Sequence, residues 1–363
     1  MRRTLSVLIL LVLAALVGAN VAANAAGQND SACRQSLTVP YDTGELMAYD
    51  ACRFDRLDAA VAALKPASTP TASPSASTTA TPKPTATPTA SPSPSASSSP
   101  SSSPSPSAPT GFPAARSTGV PSGTTLTAYS GPATITSAGT VIDGKKITSC
   151  LVIKANNVTI RNSLITSGGC YFNVLADNGN TGIQLTDVEI DGQGNTGGDS
   201  AINGGGFTCL RCDLHGTVDG IKAQSNVVVQ DSWIHDLTIG NDSHNDGIQS
   251  LGTTSLKVLH NRIVMADGAT SAIILSTGSA SDMRNVQISG NLLGGGAFTV
   301  YGGYEAGRDT LSKISNISVT NNRFTTSVFP RGGAFGPLTS VDSPVAVSGN
   351  TWADGTRSGQ PVS

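Results

Sequence analysis

The chain has 363 residues, a formal net charge of −2 and 13% charged side chains. A balance this close to neutral argues against nucleic acid as a partner, because phosphate backbones select a basic face. Neither G-x-x-x-x-G-K-[ST] nor a helix-opening G-x-G-x-x-G occurs, so no nucleotide is expected either.

The first 25 residues read as a secretory signal peptide: Met1-Arg2-Arg3, an apolar run from Leu5 to Val17, then the small-residue site Ala23-Asn24-Ala25. An uncleaved anchor is the alternative, although the run is shorter than the ~20 residues a span needs. The mature protein is therefore expected to be secreted, extracellular or held at the cell surface, in an oxidising place. Residues 26–65 form a small segment with Cys33 and Cys52, expected to pair, and an amphipathic helix from Phe54 to Leu64. Residues 66–110 are almost wholly Ser, Pro, Thr and Ala, with Lys83 the one charge, which predicts a disordered linker. The working domain is 111–363, with 15 Lys and Arg against 18 Asp and Glu.

In that domain an eight-residue strand motif recurs eight times, beginning at Val158, Ile183, Phe207, Val227, Leu256, Val286, Ile317 and Val345. Apolar residues hold its first, third and eighth places; polar, Gly or Cys residues hold the fifth and sixth, apart from Val188. The last four copies put Asn in the sixth place: Asn261, Asn291, Asn322 and Asn350. One such coil cannot bury its apolar face alone, so coils stack and share a core. Stacking sets equivalent side chains roughly 4.8 Å apart. An Asn repeated at one bend can then bond to its neighbours above and below, and it tolerates the left-handed backbone that a bend needs.

Four cysteines remain in the domain. Cys150 and Cys170 are about one coil apart, while Cys209 and Cys212 form C-x-x-C. A zinc site would want a second such pair or suitably spaced histidines, so all four read as structural, with three pairings open.

A second strand follows each motif, with Ile202, Ile221, Ile248 and Ile273 pointing inward. The residue after each Ile then forms an outward column of Asn203, Lys222, Gln249 and Ile274. A further column, also expected outside, holds Ser200, Asp219, Asp246 and Ser271. The loop before Asp246 carries His235, Asp236, Asp242 and His244 beside them, and Tyr301 and Tyr304 follow on the same face as a candidate sugar-stacking platform. His215 and His260 read as structural; Glu189, Asp213 and Arg262, all at the seventh place, read as solvated charges.

The asparagine row on a coil-length repeat resembles the right-handed parallel β-helix of the pectate lyase and polygalacturonase superfamily, over about residues 125–355. That resemblance implies an all-β solenoid of about eight to ten coils, and a polysaccharide groove along the second strand. Asn245-Asp246-Gly247-Ile248 resembles the N-T-D-G-I/F strand of polygalacturonases, but an Asp-Asp pair, Gly-His-Gly and Arg-Ile-Lys are missing, as is the R-x-x-R-x-P of many pectate lyases. Two chemistries suit the groove residues. In a uronate lyase, Asp199, Asp219 and Asp246 would hold Ca²⁺ and Lys222, its pKa lowered, would be the base, with His235 and His244 on the wall. In a hydrolase, Asp219 and Asp246 would be the carboxyl pair. Asn203, Gln249, Tyr301 and Tyr304 would bind substrate. The competing expectation is a non-catalytic glycan-binding or adhesin-like surface protein; in either case a monomer is expected.

Overall fold

The computed structural model describes residues 111–176, 179–240, 243–276 and 282–362. The expected signal peptide, the Cys33–Cys52 pair, the 54–64 helix, the linker and Asp242 lie outside the described residues.

The described chain is an all-β solenoid of parallel strands. Two sheets run along it, one of seventeen strands and one of nine. Short 3-10 turns at Leu311–Lys313 and Gly355–Arg357 are the only helical elements among the described residues. Each motif lays its first half and its last residues in the larger sheet, and the strand that follows it enters the smaller one. The alternation predicts this burial: Leu256, Val258 and Ile263 are inaccessible, as are Ile183, Leu185 and Ile190. Each such side chain contributes about 1.5–3 kcal/mol on leaving water, and together they form one aliphatic core along the solenoid. Val347 departs from the pattern and is exposed in the final motif, on an edge strand paired only with Ile314–Thr320.

The bend divides its work between two places. The left-handed backbone falls on the fifth place in every copy: Asn162, Asp187, Arg211, Asp231, His260, Gly290, Asn321 and Gly349 all have φ between 47° and 70°. The sixth-place asparagines are not left-handed, contrary to the expectation; they carry the hydrogen bonds. The backbone N–H groups of Asn261, Asn291 and Asn322 donate to the side-chain oxygen of the next Asn at 2.8, 3.0 and 2.9 Å. Each side-chain amide donates back to a core-strand carbonyl, Val229, Val258, Ile288 or Val319. Ser232 extends the row by donating to Asn261, and Cys212 by donating to Ser232.

Asn321 is exposed at its left-handed position. Asn321→Val is expected to cost about 1–2 kcal/mol, since branched side chains resist that geometry, whereas Asn321→Gly should cost little. Urea denaturation midpoints compare the two, and equal midpoints would refute the assignment of strain to the fifth place.

Before the first strand, residues 112–119 lie against the larger sheet. Phe112 stacks on His260, with ring centroids 5.7 Å apart. The Gly119 N–H donates to the Arg211 carbonyl at 2.9 Å. At Gly119 (φ +69°) a Cβ would come within 2.9 Å of the Asp213 Cβ, so only glycine fits the close approach.

The cysteines pair as Cys150–Cys170 and Cys209–Cys212. The first links the entries of the paired strands Leu151–Ile153 and Phe172–Ala176. The second is buried in the core within one coil.

Candidate functional site

The smaller sheet stacks its side chains in the expected register. Asp219 pairs with Ser200, and Asp246 with Ser271. Asn203, Lys222, Gln249, Ile274 and Tyr301 form one continuous column. The direction of the aspartates differs from the expectation. Asp219 is 2% exposed and Asp246 is fully buried, as are Ser200 and Ser271. The reason is strand parity: these residues lie two places before the inward isoleucines and share their side of the sheet.

Burial at the strand entry brings Lys222 back onto its own strand. Its ammonium lies 3.3 Å from the Asp219 carboxylate and 2.8 Å from that of Asp199, which comes from the loop one coil earlier. Lys222 and Asp199 open slightly to the surface, with side chains 17% and 10% exposed, and Asp219 lies beneath them. Asp219 also accepts the Asp246 N–H at 2.9 Å. Burial, and then the like charge of Asp199, push its pKa from 3.8 up to about 6, against the attraction of Lys222. Burial alone would lower the pKa of Lys222, but the Asp219 and Asp199 charges outweigh it and raise it. Lys222 is therefore a firmly held cation, whereas the expected base needed a lowered pKa.

Asp246 begins the strand one coil after that of Asp219. Its carboxylate accepts from the Ser271 hydroxyl, and from the Gln249 amide at 3.3 Å. Asn203 is half-buried in the column next to Lys222, and His244 is half-buried just before Asp246.

Other expected members fall elsewhere. His235 belongs to the larger sheet, not to the groove wall, because Trp233–Ile234 pairs there and carries His235 with it. Its ring bonds to Asp213 and to Asp236, each at 2.7 Å, and stacks on Trp233 with centroids 3.5 Å apart. His215 stacks on His235 at 5.2 Å and faces Glu189 and Asp191. The Glu189 hydrogen bond raises the His215 pKa above its ordinary value. Asp213, expected to be solvated, is buried in this cluster. Tyr301 is 2% exposed and edge-on to Phe298, while Tyr304 is 7% exposed and part of the aliphatic core. A stacking platform must be open, so neither ring fills that expected role.

The expected calcium ligands do not suit the ion as they are arranged. The Lys222 ammonium occupies the position between Asp199 and Asp219 that a cation would take, and Ca²⁺ needs six to eight oxygens. Among the described residues no three His, Cys, Asp or Glu side chains are grouped to hold a metal ion.

Sequence reading overlooked Tyr171. It is 52% exposed and immediately precedes Phe172, which pairs with Ser200. That register sets it beside Asp199. The cue available in the sequence was its place directly after Cys170.

No family model matches the chain, and no curated protein or solved structure matches it either.

Proposed function

We propose that the protein is a secreted, monomeric member of the right-handed parallel β-helix superfamily that includes pectate lyases and polygalacturonases, and that it hydrolyses a polysaccharide lying along the nine-stranded sheet. Parallel strands joined by crossovers are right-handed in about 98% of cases, and nine strands in the smaller sheet correspond to about nine coils. Two disulfides suit an oxidising compartment.

The observation that supports the reading is the buried Lys222–Asp199–Asp219 triad. Removing charges from water costs several kcal/mol per ion, so a cluster of this kind at the entry of the smaller sheet favours a functional role. Asp199 is the carboxylate nearest the surface, Lys222 fixes its position, and Asp219 changes charge near pH 6. Hydrolysis uses a carboxyl pair, one protonated and one not. Elimination would instead need an uncharged base, and Lys222 is held protonated.

The test is a panel of uronate-containing and neutral polysaccharides, scored for new reducing ends and for the ultraviolet absorbance of unsaturated uronates. New reducing ends without unsaturation are expected, at a rate that falls as pH rises through about 6 and Asp219 loses its proton. Unsaturated products would replace hydrolysis by elimination. Binding without cleavage would make the protein a glycan-binding surface module, an outcome favoured by the hydrogen bonds that already occupy Asp219 and Asp246.

A further inference from the structure

We infer that Tyr171 is the sugar-stacking platform of this site, taking the apolar face of a pyranose ring one coil before Asp199; this rests on the polysaccharide reading above.

Tyrosine offers a large, flat and stiff surface with a polar tip, the kind of group that packs against a sugar ring. A half-exposed aromatic ring gains little from folding, so its position needs another reason. The chain around Tyr171 is held on every side. Cys170 is bonded to Cys150. The Cys170 carbonyl accepts the Asn195 amide at 3.1 Å. The Tyr171 carbonyl accepts the Asp199 N–H at 2.7 Å, and Phe172 begins the next strand and packs edge-on against the Tyr171 ring at 4.8 Å. A ring that projects from so firmly fixed a backbone is preorganised for contact.

Its location agrees with this. Tyr171, Asp199 and Lys222 come from three successive coils, joined by the pairings of Phe172 with Ser200 and of Ser200 with Asp219. Coils rise by about 4.8 Å, close to the length of one sugar unit, so a chain along the solenoid axis that rests on Tyr171 brings its following unit to Asp199 and Lys222.

The experiment measures binding of the full chain to sodium polygalacturonate and to a neutral β-glucan by affinity gel electrophoresis, for wild type, Tyr171→Ala, Tyr171→Phe and Lys222→Met. Tyr171→Ala should weaken binding about tenfold, which corresponds to ~1.4 kcal/mol, with an unchanged melting temperature. Tyr171→Phe keeps the ring and should bind within about twofold of wild type, since stacking needs only the π-face. Equal binding by wild type and Tyr171→Ala, with Lys222→Met impaired at pH about 4, where its melting temperature is expected to match wild type, would overturn the platform and leave the site standing. Loss in Tyr171→Phe as large as in Tyr171→Ala would also overturn it, because the hydroxyl and not the ring would then be responsible. If wild type binds neither polymer, the polysaccharide reading fails and the platform fails with it.

Discussion

Asn291→Ala is expected to lower stability by about 3–5 kcal/mol, among the largest effects of any single substitution in this domain. The Asn291 side chain is fully buried. Its oxygen accepts from the Asn261 backbone at 2.8 Å and from the Asn261 amide at 3.0 Å, and its own amide donates to Val258 and to Asn322. Alanine would leave the Asn261 N–H buried without its partner, at about 1–3 kcal/mol, and would remove the further bonds to Asn261, Val258 and Asn322, at about 1 kcal/mol each. For a domain of this size each kcal/mol shifts the melting temperature by about 2–4 °C, so a fall of roughly 6–20 °C should appear by calorimetry. Asn316→Ala is the control. Asn316 also bonds to an asparagine one coil away, Asn285, but at the surface and at a left-handed position (φ 54°), and it should lose about 1–2 kcal/mol. Equal losses at the two positions would show that the internal row adds nothing beyond an ordinary surface contact.

Lys222→Met is the second large expectation, because it removes the partner of two carboxylates rather than one contact. Leaving a buried charge without its counter-ion costs about 3–5 kcal/mol, and cleavage should be abolished. The stability loss should depend on pH. Asp219 has a folded pKa of about 6 against an ordinary 3.8, so it binds its proton more tightly when folded. That contribution is complete below the ordinary value and is lost as pH rises through about 6. Without Lys222 the Asp219 pKa moves further upward, since the lysine charge was lowering it. The variant should therefore melt near wild type at pH about 4 and far below it at pH about 8. A deficit of the same size at both would mean that lost packing of the lysine stem, not the unpaired carboxylates, causes it.

What was legible in the sequence depended on whether neighbours along the solenoid were also regular along the chain. The asparagine row and the column through Asn203, Lys222 and Gln249 repeat at coil length, so their register could be read directly. Whether Asp219 and Asp246 face in or out depends on where each strand begins, which short strands leave ambiguous; their shared parity with Ile221 and Ile248 was the better guide. Tyr301 follows the right column yet is buried by side chains such as Phe298 that no repeat predicts. His235 adjoins in sequence the loop that follows it, but Trp233–Ile234 draws it into the other sheet. Tyr171 meets Asp199 only through pairings across coils, which no local motif records.

Among the described residues, only the earlier part of the array carries a covalent link between layers. From Cys212 to Asn350 neighbouring layers are joined by polar bonds through their centre. Val188 interrupts the sixth-place row, and the Cys150–Cys170 link between layers lies before it. In an array where each layer feels only its neighbours, a reducing environment would loosen one end and leave the other untouched. The compartment would then determine where fraying starts, and the layers that carry Tyr171 and Asp199 lie at the end it governs.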